Sequence, residues 1–224
     1  MVGVMVPTVV VPVMTLGNCV FLPQQLMPLR IFEPRYRKML KEALAGNRMF
    51  AISQLDEESL SPDNDEPPCP FTCVGRIVGH VELEDGPSHI ILEGLRRAKV
   101  IKVKRKTPYP QLEIVPVVDE PVAENNLCVR EIARVLAYAE KFTFELGEEA
   151  EPLLQRLRGL ANQPGVLADA AAGHLVADPL VRRKLLECLS QDQRIKAVAD
   201  ELARLDAQRK LDEQGGDEHA RGLN

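Results

Sequence analysis

A chain of 224 residues that is 45% apolar and 27% charged, with a net charge of −5, has the composition of a globular protein large enough to bury its own core. Lys and Arg number 14 against 13 Asp and Glu in residues 1–118, and 14 against 20 in residues 119–224, so neither half is a strongly basic nucleic-acid domain. Five scattered cysteines (19, 69, 73, 128 and 188) form no disulfide framework and suit a reducing cytosol.

Residues 1–29 carry no charged side chain. A secretory signal needs basic residues ahead of its apolar stretch, and the first here is Arg30. A membrane helix would have to absorb Pro7, Pro12, Pro23, Pro28 and the β-branched run Thr8 to Val11. The expectation is therefore a buried strand, Val11 to Leu16, between proline-marked turns, no membrane association and a cytoplasmic location.

The stretch PLRIFEPRYRKML (28–40) holds four basic residues and two aromatics. Glu33-Pro34 reads as a helix start, and Tyr36, Met39, Leu40, Ala43 and Leu44 recur at helical spacing up to Gly46, a left-handed stop. Arg35, Arg37, Lys38 and Lys41 fall on other faces, so the stretch is a strand–helix joint with a solvated basic face.

Met49 to Leu55 reads as a strand. Residues 56–70, DEESLSPDNDEPPCP, with six acids and four prolines, read as a mobile acidic loop. FTCVGRIVGHVELEDGPSHIILEGLRRAKVIKV then reads as three strands, turning at Asp85-Gly86 and near Gly94. Gln111 to Val117 adds another strand.

From residue 122 the apolar period changes from 2 to 3.6. Leu127 to Leu146 aligns Cys128, Ile132, Val135, Leu136, Ala139 and Phe142 on one helical stripe. Asp178-Pro179 is an N-cap with proline at the first helical position, followed by Leu185, Leu186 and Leu189. Ser190 and Gln193 make a capping box leading into Ile195, Val198, Ala199, Leu202 and Leu205. The organisation expected is a β-rich subdomain over residues 1–118, a helical subdomain over 119–211 and a disordered tail over 212–224.

Three pieces carry a family resemblance: the approach VPVMTLGNCVFLPQQLMPLRIFEPRYRKML, the run VGRIVGHVELEDGPSHIILEGLRRAKVIKV, and the helices KLLECLSQDQRIKAVADEL. Over residues 8–206 the chain resembles the N-terminal, substrate-binding domain of Lon proteases, and among its forms the free-standing bacterial proteins made of that domain alone. The resemblance implies an α+β fold, a PUA-like β pseudo-barrel with a short helix followed by a C-terminal α-helical bundle. It implies recognition of polypeptide segments or unfolded proteins, with no cofactor. No Gly-Lys dipeptide occurs, so the sequence has no Walker A loop, and a non-catalytic module is expected.

Asp85-Gly86-Pro87-Ser88 looks like the surroundings of the Lon catalytic serine, but it falls at a hairpin with no activating base in sight. Cys69 and Cys73 with His80 and His89 offer four zinc ligands, but CxxxC spacing fits structural zinc poorly, and no metal is expected. His174 reads as a packed or half-exposed helix residue. RRAKVIKVKRK (96–106), seven bases in eleven residues, supports RNA binding as the alternative reading, since PUA-like folds include RNA binders. It lacks interleaved aromatics for base stacking and equally fits a charged edge strand. For a peptide-binding surface, the uncharged run leading into the 28–40 stretch nominates Phe21, Leu26, Met27, Leu29 and Phe32, with Arg30 at the rim.

The purified protein is expected to hydrolyse no ATP and to cleave no casein. Activity that survives purification and is abolished by Ser88→Ala would contradict this reading.

Overall fold

The computed structural model describes residues 7–64, 66–84, 86–122, 128–146 and 148–221, and their side chains apart from 145, 146, 148 and 213–221. Asp85 of the expected turn, Leu127 and the last three residues of the expected tail lie outside them. Contacts divide the chain into two units, Met1–Asp119 with Ala177–Leu189, and Glu120–Val176 with Ser190–Asn224.

In the first unit six strands form one sheet: β1 (Val9–Leu16), β2 (Leu26–Ile31), β3 (Met49–Leu55), β4 (Pro68–Glu82), β5 (Ser88–Arg105) and β6 (Gln111–Pro116). Their order is β2-β5-β4-β3-β1-β6, and β6 returns to pair with β5. The sheet therefore closes into a ring of β5, β4, β3, β1 and β6. β2 pairs along the first stretch of β5 (residues 88–93) and β6 along the second (98–105). β1 and β3 run parallel, and the other pairings are antiparallel. Inside the ring Val11, Val13, Ala51, Val74, Ala98, Leu112 and Ile114 pack together, as expected of β-branched and small residues on the concave side of a closed sheet.

Two expectations about the strands change. Residues 71–103 make two long strands instead of three, because Gly94 lies inside β5. A Cβ there would be 2.1 Å from the Leu22 carbonyl oxygen. The bare backbone at Gly94 accepts a hydrogen bond from Gln24 N–H (2.8 Å) and donates one to the Gln25 carbonyl (2.9 Å). This glycine marks a close approach of two chain segments, where the sequence suggested a turn. Residues 26–28, the end of the run LPQQLMP whose lack of clean alternation reads as an irregular segment, open β2 because that approach aligns them with β5. The loop 56–67 is more structured than its composition suggested. It contains a 3-10 turn at Glu57–Ser59 and a Ser61–Asn64 bridge, and Glu66 pairs with Arg35 at 2.6 Å.

The helices are α1 (Pro34–Ala45), α2 (Val129–Leu146), α3 (Glu151–Gly159), α4 (Pro164–Leu175), α5 (Pro179–Glu187) and α6 (Gln191–Arg221). Helix α1, in the first unit, buries Tyr36, Met39, Leu40 and Ala43, as its spacing predicted. Its stop differs: Gly46 has φ −107°, and the left-handed residue is Arg48 (φ 61°), whose N–H bonds the Ala43 carbonyl at 2.9 Å. α5 also belongs to the first unit, although the sequence placed it with the helical subdomain. Arg97 explains this, since its Nε donates to the Leu186 carbonyl (3.1 Å) while Nη1 pairs with Asp119 (2.5 Å). Arg182 of the same helix donates to Gln25 Oε1 (2.5 Å). Asp178 caps α5 by accepting from Leu180 N–H at 2.8 Å, with Pro179 at the first position.

The second unit holds α2, α3, α4 and α6. α4 is buried almost all round through Leu167 to Gly173, and its alanines let α2, α3 and α6 pack on it. Asp169 meets Arg194 at 3.1 Å, both buried. Ser190 caps α6 through a bond from Gln193 N–H (3.4 Å). α6 continues through 212–221, where composition suggested disorder. Paired side chains four apart, such as Asp206–Lys210 (2.9 Å) and Gln208–Asp212 (2.9 Å), extend its polar face.

Gly94→Ala is expected to cost about 3 kcal/mol or unfold the first unit, whereas Gly17→Ala, with nothing within 4 Å of the added atom, should be nearly silent. Urea denaturation of both variants checks this.

Candidate functional site

β2 is the outer strand of the sheet, with β5 as its one partner among the described residues. An edge strand accommodates Pro28, which cannot donate to a ladder. The register places the outward side chains in three rows across β2, β5 and β4: Leu26–Glu93–Arg76, Pro28–Ile91–Gly79 and Arg30–His89–Val81. Such directly opposite residues share a face. Leu26 is 41% exposed, Ile91 44% and Val81 62%. Gly79 leaves the floor of the middle row open, and a Cβ there would rest 3.4 Å from the Ile91 side chain. The result is an open, mostly apolar cavity of about 500 Å³ along Pro28, Leu29, Gly79, Val81 and Ile91, with Arg30 and His89 at its edge.

Of the six residues nominated from the sequence, Leu26, Arg30 and Phe32 (62% exposed) lie on this side or at its end, while Leu29, half-buried opposite Ile90, alternates to the other face though it borders the cavity. Phe21 and Met27 do not. They are 1% and 8% exposed and belong to the core, because β2 alternates and Met27 faces the same way as Leu92 opposite it. Sequence reasoning missed Val81 and Ile91. The signal was the doublet Ile90-Ile91, since in a strand one of two consecutive apolar residues must face outward, and here Ile90 is buried and Ile91 is not.

Other candidates disperse. Ser88 Oγ does lie 3.3 Å from His80 Nε2, so a base is near after all, but Ser88 is buried at the sheet. Among the described residues no third group orients that imidazole, as a nucleophile–base pair requires. Cys69 and Cys73 are buried thiols on β4, and burial pushes the Cys69 pKa up. Among the described residues no group of three His, Cys, Asp or Glu could hold a metal. His174 Nδ1 bonds the Ala170 carbonyl of its own helix at 2.8 Å.

The basic run 96–106 is largely matched internally. Arg97 is buried against Asp119, Lys102 and Lys104 share Glu113 (3.5 and 3.8 Å), Lys106 donates to the Asp63 carbonyl (2.6 Å), and Arg105 covers the Tyr109 ring at 5.4 Å. Register shifts around Ile101 and Lys104 also break the expected two-face alternation, so that Val100 and Val103 both join the core. A phosphate-binding strand needs free cations, and most of those on this strand already have partners.

The model of the ATP-dependent protease La (LON) substrate-binding domain matches residues 10–204. The chain belongs to this LON substrate-binding domain family. Lon protease of Trichlorobacter lovleyi is 27% identical over 196 residues, covering 86% of this chain and 24% of that protein. Lon protease of Chloroflexus aggregans is 26% identical over 197 residues, again covering 86% and 24%. The chain thus spans about a quarter of the length of these curated relatives. Among solved structures, the N-terminal domain of Mycobacterium avium complex Lon protease superposes with a TM-score of 0.64 at 19% identity, covering 87% of this chain and 98% of that one. The Lon N-terminal domain protein from Xanthomonas campestris gives 0.60 at 17% identity, with 84% and 95% covered. The α+β fold is that of Lon N-terminal domains. Among the described residues no helix is long and apolar enough to cross a membrane.

Within this LON domain the 28–40 stretch joins the outer face of β2 to α1. Arg35 stacks over the Tyr36 ring (4.5 Å) and pairs with Glu33 (2.9 Å) and Glu66 (2.6 Å). Tyr36 is buried, with its hydroxyl beside the Thr15 backbone. Burial, and then the nearby Glu66 carboxylate, pushes its pKa up to about 12. The neutral phenol is thus favoured by folding, a contribution present below the unfolded pKa of about 10 and lost as pH rises through about 12.

Tyr36→Phe is therefore expected to change stability at pH 7 by less than about 1 kcal/mol and to move alkaline unfolding to higher pH. A larger loss at pH 7, measured by urea denaturation, would reveal a partner for the hydroxyl.

Proposed function

We propose that this protein is a non-catalytic recognition module that binds unfolded or extended polypeptide along the outer face of β2, β5 and β4. Leu26 and Phe32 would take apolar side chains together with Val81 and Ile91, Leu29 would border the groove, and Arg30 would stand at the rim. The observation that carries this reading is an exposed apolar row, Pro28–Ile91–Gly79, flanked by Leu26 and Val81, beside the free edge of β2. Extended chains are recognised in two ways at once at such a place, by backbone pairing along the edge and by alternate side chains entering a groove. Membership of a substrate-binding family supports it. On the same reading the closed sheet is a PUA-like pseudo-barrel, the helices of the second unit form a bundle, and the protein acts in the cytoplasm.

The test is a titration of a permanently unfolded model protein at two salt concentrations. Binding driven by apolar burial should change little with salt. Val81→Ser/Ile91→Ser should weaken it about tenfold or more, a loss of roughly 1.4 kcal/mol, while the unfolding midpoint stays put because both side chains are exposed. Absence of polypeptide binding, with steeply salt-dependent RNA binding abolished by Lys102→Glu/Lys104→Glu, would overturn the proposal.

A further inference from the structure

Beside the apolar groove lies a second cavity, of about 610 Å³, between α1 and the β4–β5 hairpin. Arg37, Lys38 and Lys41 line it from the helix, and His80, Glu82 and Ser88 from the hairpin. Among the described lining residues three cations thus face one carboxylate, Glu82. They differ from the basic groups of this unit that the fold engages. Arg35 is doubly paired, Arg97 is buried on Asp119, and Lys102 and Lys104 share Glu113. Arg37, Lys38 and Lys41 are exposed and make no ion pair among the described residues. Arg37 and Lys41 are four apart on one helix face, and Lys38 and Lys41 three apart. Like charges at those spacings repel, and a bound anion relieves the repulsion.

The cleft lies on the other face of the same strands from the groove, since His80 and Glu82 alternate with Gly79 and Val81 along β4. His80 lines both cavities. β2 ends at Ile31 and α1 begins at Pro34, so Arg30 at the end of the groove and Pro34 at the mouth of the cleft are four residues apart. A ligand running along the groove past Arg30 would round the edge of the sheet to reach the Pro34 end of the cleft. A side chain that entered the cleft would meet Arg37, Lys38, Lys41 and His80 beside the apolar Leu40 and Leu44, and a carboxylate gains most from those cations.

We infer that the cleft between α1 and the β4–β5 hairpin selects polypeptides in which an acidic side chain flanks the apolar stretch. This rests on the reading of the β2–β5–β4 face as the polypeptide site. Arg37, Lys38 and Lys41 supply the charge, and His80 with Ser88 supplies hydrogen-bonding atoms at the junction of the two cavities. The apolar rows hold the ligand, and the cationic cleft sets its direction and register, because an acidic residue at the other end would meet no such cluster.

The experiment is fluorescence anisotropy on the full chain with C-terminally amidated peptides that share one apolar stretch. The stretch is flanked by Glu or by Gln, and a further Gln peptide carries a free C-terminal carboxylate. The Glu peptide should bind about three- to tenfold tighter than the amidated Gln peptide at low salt, as a few exposed ion pairs allow, and the gap should close in about 0.5 M salt. In Lys38→Gln/Lys41→Gln, both substitutions being on the exposed helix face, the ratio should fall to one with the unfolding midpoint unchanged. Equal binding of the Glu and Gln peptides to the unaltered protein would overturn this inference while leaving the polypeptide-binding reading standing. A preference that persists in the double variant, or one confined to the free C-terminal carboxylate, would overturn it too. If no peptide binds, the polypeptide-binding reading fails and the inference with it.

Discussion

The close approach of the 22–25 backbone to β5 at Gly94 is the constraint on which the first unit depends. β5 is 18 residues long and serves three neighbours, β4 along most of its length, β2 along its first stretch and β6 along its second. The change of partner happens near Gly94, where the absence of a side chain lets the Leu22 carbonyl come within a distance no Cβ tolerates. Closure through β6 removes one pair of sheet edges, and the hydrogen bonds at Gly94 fix β2 as the strand that keeps one.

That arrangement explains why apolar side chains face outward here. Along this stretch of β4 and β5 one face of the sheet is buried, where Leu92, Ile90 and Ile77 lie, and the other is presented. Along residues 76–81 and 89–93 the outer face is apolar in its middle row and polar toward its ends. Arg76 and Glu93 stand at one end, Arg30 and His89 at the other. Further along β5 the outer face is strongly basic, yet most of that charge is answered by Glu113, Asp119 and the Asp63 carbonyl. One strand thus carries a binding-competent apolar segment and a basic segment whose charges are committed to the fold.

In the second unit the organising interaction is of another kind. α4 is nearly all alanine and glycine where it is buried, so it supplies little apolar volume and allows close helix packing. The Asp169–Arg194 pair inside it is stabilising only as a pair, since removing one partner strands a buried charge. Its effect is to fix the register of α6 against α4, with Arg194 Nη2 also 3.4 Å from the Gly165 carbonyl.

The sequence by itself determined the local features whose cause is local. The caps at Asp178 and Ser190, the helical stripe of α1, the strands β1, β3 and β6, and the change from sheet to helix near residue 120 all follow from propensity and period over a few residues. Of the candidate site it marked the uncharged run into residues 28–40, and of its nominees Leu26, Arg30 and Phe32 stand on the outer face. Tertiary structure decided what depends on distant partners. Gly94 has the signature of a turn, and only the Leu22 carbonyl pressed against it makes it a strand residue. Phe21 and Met27 cannot be told from their exposed neighbours until β5 sets the register of β2, since a shift of one residue exchanges the two faces. Val81 and Ile91 join the site because strand pairing brings them beside residues more than fifty positions earlier in the chain. Arg97 and Arg37 look alike in the sequence, and which one is buried and which one faces a cleft is fixed by Asp119 and the Leu186 carbonyl, neither of them near Arg97 along the chain.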